Sequence, residues 1–234
     1  MRIKNIEKSS VIDFPPHISA VVFLGGCCLR CPYCYNHDII DPDQSKLPDI
    51  PESEFFEWLK ERIGKLSAVV LSGGEPTIHG MELAAFILEI KSLGFKVKLD
   101  TNGTNPTLIE FLIKNHLIDA ISMDVKSSKE RYEEACGTKI DTDLIDRSIR
   151  TIIDSGIDHE FRTTVHPRLH NMEDLVKIAN WIKGAKTYSI QQYFRADILD
   201  PTLNDFGPFP PEWFENAKST IEKLGLVTNV QIKI

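Results

Sequence analysis

The sequence predicts an α/β fold in which parallel strands form a partial, TIM-like (β/α)6 barrel. Short apolar runs rich in β-branched residues alternate with segments of helical periodicity along most of the chain, and this alternation is typical of βα units in a parallel sheet. Unusual polar residues also follow nearly every predicted strand. Because strand C-termini converge on one mouth of a barrel, where active sites are built, these residues favour a barrel over an open doubly wound sheet.

The individual elements follow from periodicity and from the residues that end them. Residues 19–24 form an apolar run that suits a strand buried on both faces. Gly94 ends one predicted helix, and Pro106 lies in the first turn of the next. The core strands are predicted at residues 19–24, 68–72, 96–101, 120–125, 159–165 and 188–194. The helices are predicted at residues 52–65, 81–93, 106–115, 129–135, 143–155, 172–183 and 211–224. A short edge strand at 2–8 and a final strand at 227–234 complete a single domain over residues 1–234, with its core at about 17–200.

The composition of the 234 residues, 42% hydrophobic and 26% charged, is ordinary for a soluble globular protein. The net charge of −7 argues against general nucleic-acid binding, because a phosphate-binding surface needs a basic excess. No apolar run approaches the roughly 18 residues of a membrane span, and the N-terminus has no apolar signal core. We therefore expect a cytoplasmic protein, in which thiols stay reduced and metal ligation is favoured over disulfides.

Four of the five cysteines lie within residues 27–34, and this clustering marks a site. Three of them, Cys27, Cys31 and Cys34, have the spacing C-x3-C-x2-C, which lets a tight loop wrap one small inorganic group with three thiolates. Zinc knuckles favour two separate C-x2-C pairs, and no second separate pair is present. A four-iron cluster held by three cysteines leaves one iron open to a substrate. A disulfide pair or plain surface thiols are the alternatives.

The polar residues after the other strands supply acids, amides and a cation. Residues 73–76, Gly-Gly-Glu-Pro, bring two flexible residues and a carboxylate to a strand end, where backbone can approach a small ligand closely; a plain turn with a solvated glutamate is the alternative. Residues 100–102, Asp-Thr-Asn, together with Asp124 and Lys126, suit a zwitterionic ligand or a bound cation better than a phosphate. The two aspartates could instead be helix N-caps, and His166 is more typical of a structural or solvated histidine than of a catalyst.

Together these motifs resemble the radical S-adenosylmethionine (radical SAM) superfamily. The resemblance rests on the cysteine motif after the first core strand, Gly-Gly-Glu-Pro after the second and Asp-Thr-Asn-Gly after the third. Further segments narrow it to activating enzymes of glycyl-radical enzymes, in particular the anaerobic ribonucleoside-triphosphate reductase activating type. These segments are Asp13-Phe-Pro, the Cys-Pro-Tyr-Cys stretch with Asn36, Asp124-Val-Lys126 and Arg162-Thr-Thr-Val. The resemblance covers about residues 9–200.

The resemblance implies a [4Fe-4S] cluster and S-adenosyl-L-methionine (SAM) as cofactors. Cys27, Cys31 and Cys34 are then the ligands of the cluster, and the methionine end of SAM chelates the open iron. Cofactor contacts are implied for Gly73, Gly74 and Glu75 at the amino group of SAM, for Asn102 and Lys126 near its methionyl and ribose portions, and for Thr164 and Val165 beside the nucleoside. Asp100, Thr101 and Asp124 match an acidic cluster that in some activases holds a monovalent cation.

The chain departs from the family pattern at three positions. Cys28 stands where Asn or a similar residue is common, Tyr35 stands where His often follows the third cysteine, and Pro16 replaces a common Gly. These departures leave the cluster ligands unchanged, but they leave open the polarity around the cluster and the docking surface of the partner. Cys136 stands alone, and residues from about 200 onward match nothing in the family.

The resemblance also implies a reaction and its partners. One electron from a flavodoxin- or ferredoxin-type donor enters the cluster, SAM is cleaved reductively, and a 5′-deoxyadenosyl radical takes hydrogen from a glycine of a large partner, here an anaerobic ribonucleotide reductase. The protein orients the sulfonium and excludes water and oxygen. A radical SAM enzyme acting on a small molecule or a peptide is the second interpretation, although no cysteines remain for the auxiliary clusters that would favour peptide modification. A non-catalytic iron–sulfur protein is the third, and the polar groups at the strand ends argue against it.

We expect the anaerobically reconstituted protein to hold about four irons. Replacing Cys27, Cys31 or Cys34 by Ala should abolish the cluster, because each supplies one thiolate, whereas Cys28→Ser and Cys136→Ser should retain it. Iron and sulfide analysis together with the visible absorbance checks this. Cluster loss in either serine variant, or cluster survival without one of the three ligands, would contradict the assignment.

Overall fold

The structure, a computed structural model, describes the whole chain from Met1 to Ile234. Its strands are β1 (Ile3–Ser10), β2 (Ser19–Leu24), β3 (Ala68–Gly73), β4 (Lys96–Thr101), β5 (Ala120–Asp124), β6 (Asp158–Val165), β7 (Thr187–Gln192) and β8 (Asn229–Lys233). Its helices are α1 (Glu52–Lys60), α2 (Met81–Ser92), α3 (Pro106–Lys114), α4 (Tyr132–Cys136), α5 (Thr142–Ser155), α6 (Met172–Trp181) and α7 (Pro211–Leu224). None of them combines the length and the apolar character that crossing a membrane requires.

The strands belong to one eight-stranded sheet, in the order in which they occur in the sequence. β2, β3 and β4 are parallel neighbours, as are β6, β7 and β8, whereas β1 runs antiparallel to β2. β1 and β8 stand at the two ends of the strand order, so the sheet is open and does not close into a full barrel. This arrangement confirms the predicted α/β fold with a parallel, partial barrel, and it confirms the two additional strands at the termini.

Two compact units can be distinguished by their internal contacts, and the single-domain organisation stays a prediction. The first unit consists of Met1–Cys28, Asn36–Thr101 and Thr107–Ile121. Its strands β2 and β3 are almost entirely apolar and are buried along most of their length, as expected for strands covered on both faces. Their register pairs Leu24 with Gly73. The ends of the two strands that precede the cysteine motif and the Gly-Gly motif are therefore direct neighbours.

The second unit consists of Leu29–Tyr35, Asn102–Pro106 and Ser122–Ile234. Its helix α6 begins with a capping box, in which Asn171 and Asp174 exchange side-chain-to-backbone hydrogen bonds. The carboxylate of Asp174 also accepts hydrogen bonds from Ser128 Oγ at 2.7 Å and from Arg131 Nη1 at 2.9 Å. One buried acid therefore ties the start of α6 to the connection that follows β5.

The elements differ from the sequence predictions mainly at their ends. α1 stops at Lys60 and not at residue 65, because the chain tightens into a turn in which Arg62 N donates to Leu59 O at 2.9 Å and Gly64 adopts a φ of 78°. The predicted helix at residues 129–135 is a short 3-10 turn followed by α4. The turn after Glu75 contains a 3-10 helix, Pro76–His79, that the sequence did not indicate.

Candidate functional site

The first cysteine of the motif is held by backbone hydrogen bonds within the first unit. Immediately after β2, Gly26 N donates to Ile39 O at 2.8 Å and Cys27 N donates to Ile40 O at 3.0 Å. Both isoleucines are buried, and the Cys27 side chain is half-buried. These bonds fix the backbone of Cys27 at the C-terminal end of β2, where the sequence predicts it.

The Gly-Gly motif packs directly on this backbone. Gly74 N donates to Leu24 O at 2.8 Å, and Glu75 N donates to Gly26 O at 2.7 Å. A Cβ on Gly74 would stand 2.1 Å from Gly26 O and 3.4 Å from Cys27 Cβ, which is too close for any side chain. The contact that excludes a side chain here is with protein backbone, whereas the sequence suggested the approach of a ligand. Contacts of this turn with SAM stay a prediction.

Glu75 is fully buried, and its carboxylate is bonded within the first unit. Its Oε1 accepts hydrogen bonds from Thr77 N at 3.0 Å, from Thr77 Oγ1 at 2.5 Å and from Thr101 Oγ1 at 2.7 Å. Asn36 Nδ2 donates to Gly73 O at 2.9 Å. The structure thus brings Gly73, Glu75 and Thr101 together at the ends of β3 and β4, and it excludes the alternative of a solvated glutamate.

His79 supports the same backbone, and the sequence did not single it out. Its Nε2 lies 3.0 Å from Gly25 O, and because a carbonyl can only accept, we assign the ring proton to Nε2. Burial lowers the pKa of His79, which keeps the ring neutral. In the sequence His79 stands four residues after Glu75 without a chemical partner nearby, and so no local signal could have revealed its role.

Asp100 has a lysine partner on its own strand. Lys98 Nζ lies 3.2 Å from Asp100 Oδ1 and donates to Asp13 O at 2.5 Å, and both side chains of this pair are buried. β4 is thereby linked to the Asp13-Phe-Pro segment. Asp100 lies inside β4 and Asp124 ends β5, so neither aspartate is a helix N-cap.

Cys31 and Cys34 belong to the second unit. Cys34 N donates to Cys31 O at 3.0 Å, which closes a tight turn around Pro32. Cys31 is buried. Burial raises the pKa of its thiol to about 12, and the positive charge of Lys126 acts in the opposite direction. A cation therefore stands where it stabilises the thiolate form of Cys31.

Cys136 supports this turn through its backbone. Arg30 N donates to Cys136 O at 2.9 Å, and Gly137 fits against the Arg30 carbonyl so closely that a Cβ there would lie 2.0 Å from the oxygen. The Cys136 thiol is buried and lies 3.1 Å from Thr138 O. Cys28, in contrast, is exposed. The end of α4 thus fixes the backbone that leads to Cys31.

A carboxylate with two cationic partners lies near Cys31. Arg162 Nε donates to Asp124 Oδ1 at 2.8 Å, and Lys126 Nζ donates to Asp124 Oδ2 at 2.9 Å. Burial by itself would raise the pKa of Asp124, but the charges of Arg162 and Lys126 outweigh it and hold that pKa well below its usual range. Burial by itself would lower the pKa of Lys126, but the negative charge of Asp124 outweighs this effect and raises that pKa.

The group of Asp124, Lys126 and Arg162 combines one carboxylate with two cationic side chains, and the charge of Lys126 acts on Cys31. A positive charge suits thiolates and an anionic cluster beside Cys31. The monovalent cation expected at Asp100, Thr101 and Asp124 stays a prediction.

The hydroxyl of Tyr33 is buried and has no hydrogen-bond partner. Burial raises the pKa of Tyr33, while the nearby charge of Lys126 lowers it and the neighbouring Cys31 raises it. An unsatisfied buried donor costs about 1–3 kcal/mol, which indicates that another group accepts this proton when the site is complete. Cluster and cysteine sulfurs accept hydrogen bonds of this kind. The residues around Cys31 and Cys34 therefore fit an iron–sulfur cluster, and the complete ligand set of Cys27, Cys31 and Cys34 stays a prediction.

A buried pair of histidines fixes the backbone of Lys126. His170 Nδ1 accepts from His166 N at 3.1 Å, so its Nε2 carries the proton and donates to Lys126 O at 2.7 Å. His166 Nδ1 accepts from Arg168 N, and its Nε2 donates to Leu203 O at 3.1 Å. Burial lowers the pKa of His170 to about 4. His166 is thus structural, as expected, whereas nothing in the sequence indicated the role of His170.

The remaining predicted cofactor contacts, Asn102, Thr164 and Val165, belong to the second unit. Asn102 is buried, and its Oδ1 accepts hydrogen bonds from Thr104 N at 3.0 Å and Thr104 Oγ1 at 2.7 Å. Thr164 and Val165 end β6, the former half-buried and the latter buried. Their contacts with SAM stay predictions.

The parallel, open α/β sheet carries a three-cysteine motif and a Gly-Gly turn at adjacent strand C-termini, which is where folds of this class place their active sites. The model of the Radical SAM superfamily matches residues 21–182, well over half of the chain. The chain belongs to the Radical SAM superfamily. It is therefore a radical SAM enzyme, and this superfamily uses a [4Fe-4S] cluster together with SAM.

Two relatives are similar over most of their length. The protein named "Putative glycyl-radical enzyme activating enzyme" of Methanocaldococcus jannaschii is 36% identical over 214 residues, which cover 90% of this chain and 87% of the relative. The pyruvate formate-lyase-activating enzyme of Clostridium pasteurianum is 29% identical over 243 residues, which cover 95% of this chain and 98% of the relative.

Solved structures share the fold at low sequence identity. Streptococcus suis SuiB bound to its precursor peptide SuiA superposes with a TM-score of 0.70 and 14% identity, covering 92% of this chain and 48% of that one. QueE from Escherichia coli superposes with a TM-score of 0.57 and 12% identity, covering 99% of this chain and 92% of that one. The chain thus spans about half the length of SuiB. These likenesses show the fold alone.

We expect Gly74→Ala to lower the iron content as well as the affinity for SAM, because its Cβ would displace the Gly26 carbonyl beside Cys27. Iron per chain after reconstitution and calorimetry with SAM measure the two effects. Gly80→Ala is the matched control: Gly80 has a φ of 58° but no atom within 4 Å of an added Cβ, so it should cost about 1–3 kcal/mol of backbone strain and keep its irons. Full iron content in Gly74→Ala with weakened SAM binding would favour the ligand as the reason for this glycine.

We expect His170 to make the folded protein less stable as the pH falls from about 6.5 to about 4. In this window the unfolded chain, with a pKa of 6.5, binds a proton that the folded chain, with a pKa of about 4, does not bind. The contribution of neutral His170 to the free energy of unfolding is therefore fully present above the unfolded pKa of 6.5. It is lost as the pH falls to the folded pKa of about 4, by up to about 3 kcal/mol. Denaturant unfolding between pH 4 and pH 7 measures this loss. His170→Gln should flatten the dependence, and an unchanged slope would contradict this origin.

Proposed function

We propose that the protein is a radical SAM activase, which generates a glycyl radical on a separate partner enzyme. The observation that carries this proposal is the similarity to the pyruvate formate-lyase-activating enzyme of Clostridium pasteurianum, which extends over 95% of this chain and 98% of that enzyme. A similarity of that extent is not confined to the segments that handle the cofactor. The relative of Methanocaldococcus jannaschii, whose name includes the same class, is similar over nearly as much of both chains.

In this proposal each part of the site has a task. Cys27, Cys31 and Cys34 hold the cluster, and Gly73 and Gly74 with Glu75, Asn102, Lys126, Thr164 and Val165 surround SAM. When bound, the cluster and SAM supply reductive cleavage of the sulfonium and a 5′-deoxyadenosyl radical that takes a hydrogen atom from the substrate.

The charge of Lys126 and the hydroxyl of Tyr33 favour binding of the cluster beside Cys31. Lys126 stabilises the thiolate of Cys31 by its positive charge, Arg162 shares the carboxylate of Asp124 with Lys126, and the Tyr33 hydroxyl donates a hydrogen bond to a sulfur. Because only 16% of the Lys126 side chain is exposed, its charge acts through a lower dielectric than water and is felt more strongly than at the surface.

The partner is proposed to be an anaerobic ribonucleotide reductase, and the electron donor a flavodoxin- or ferredoxin-type protein in the cytoplasm. The support for this partner is the resemblance of the segments around Asp13, Asn36, Asp124–Lys126 and Arg162 to the activating protein of that reductase. Pyruvate formate-lyase is the competing partner, because an activating enzyme of that lyase is among the relatives.

A partner assay with isotope transfer tests the proposal. The protein, reconstituted without oxygen, is mixed with dithionite, SAM and either anaerobic ribonucleotide reductase or pyruvate formate-lyase deuterated at glycine. We expect a persistent glycyl radical by electron paramagnetic resonance on the reductase, and one deuterated 5′-deoxyadenosine per radical formed. The radical should be missing with Cys31→Ala and with a partner whose radical glycine is replaced by Ala.

The outcomes separate the alternatives. A radical on the lyase and none on the reductase would keep the activase and replace its partner. Production of 5′-deoxyadenosine that carries label from a small metabolite or a short peptide, and never from a partner glycine, would sink the activase proposal in favour of small-molecule or peptide chemistry.

A further inference from the structure

The connection between β7 and α7 contains a folded segment, Phe194–Phe206, which we call the covering segment. The segment follows the stretch that the family model matches, residues 21–182. Asp200 N donates to Pro32 O at 2.8 Å, and Pro32 lies between Cys31 and Cys34. The covering segment therefore lies directly against the turn that carries two of the predicted cluster ligands.

Tyr35 makes a second link between this turn and the covering segment. Its hydroxyl accepts a hydrogen bond from Phe194 N at 2.8 Å and donates one to Phe194 O at 3.1 Å. Its ring stacks on the neighbouring Tyr193, with centroids 6.1 Å apart and an angle of 15° between the planes. The hydroxyl of Tyr35, the residue that directly follows Cys34, thus bonds both backbone groups of Phe194.

The far end of the covering segment is anchored independently of Tyr35. Ile198 and Leu203 are buried, with 2% and 1% of their surface exposed, and Leu203 O accepts from His166 Nε2 at 3.1 Å. Asn204 Nδ2 donates to Ala196 O at 3.0 Å. The segment therefore has a fixed end, and Tyr35 secures its other end on the turn.

We propose that Tyr35 is a positioning residue, whose hydroxyl closes the covering segment over the Cys31–Cys34 turn and so limits the access of water and oxidants to the cluster. This inference rests on the proposed cluster site. The proposed role also explains why the chain has Tyr35 at a position where His is common in the family. A tyrosine reaches the Phe194 backbone as donor and acceptor at once, and this pair of bonds requires a hydroxyl.

Hydrogen exchange tests the link without any cofactor. Tyr35→Phe keeps the ring and its stacking on Tyr193 but removes both hydrogen bonds to Phe194. We expect amide exchange at Phe194 and its neighbours to rise about tenfold, as loss of two net-favourable hydrogen bonds implies. Tyr193→Phe is the matched control, because its hydroxyl donates to Asn204 Oδ1 at 2.6 Å within the covering segment and does not contact the turn.

Two measurements on the reconstituted protein test the effect on the cluster. Tyr35→Phe should release its iron to a chelator about tenfold faster than wild type, and its reduction potential should rise, because solvent stabilises the more highly charged reduced cluster. Tyr193→Phe should match wild type in both. The potential separates positioning from general destabilisation, which would change iron release and exchange throughout the chain but not the potential of the intact cluster.

Unchanged exchange at Phe194, or faster exchange with wild-type iron release and potential, overturns the proposed role of Tyr35. These readouts do not need the partner enzyme. If wild type holds its cluster but generates no glycyl radical on any partner, the proposed activase function fails and the three measurements still decide the role of Tyr35.

Discussion

The close approach of Gly74 to the carbonyl of Gly26 is the constraint on which the first half of the site depends. A Cβ at residue 74 would stand 2.1 Å from that oxygen, and the same oxygen accepts the hydrogen bond from Glu75 N. The backbone before Cys27 and the turn after β3 are therefore one packed unit. Glu75 extends this unit to β4 through Thr101. The two motifs therefore belong together for a structural reason, in addition to the cofactor contacts predicted for them.

Electrostatics govern the second half. Burying three charged groups is costly unless each is paired, and Asp124 pairs with Lys126 and Arg162 through one oxygen each. Lys126 thereby places a positive charge near Cys31, whose thiol is otherwise kept protonated by burial. His170 holds the backbone of Lys126 in place and stays neutral because charging it would require burying an unpaired cation. His170 and Asp124 therefore both hold Lys126 in position, the former through its backbone and the latter through its side chain.

The residues predicted to bind the cofactor and those of the proposed cover lie in different parts of the chain. The former stand at strand ends and carry the family motifs within residues 21–182. The covering segment comes from the later connection between β7 and α7, and its link to the turn uses Tyr35, a departure from those motifs. Loops vary more readily than the elements they connect, and so a common cofactor site can be combined with different covering loops.

The sequence by itself determined the element types, the order of the βα units and the cysteine spacing, because hydrophobic period, caps and spacing are local properties. Strands β2 and β4 and helix α7 have the predicted bounds. Only the tertiary structure decided which partner each polar side chain has. Glu75 bonds Thr101 and Tyr35 bonds Phe194, across separations of 26 and 159 residues. Such pairs depend on how distant segments pack, and no local pattern records them; a carboxylate that reads as a ligand in the sequence can thus be a buried link between two strand ends.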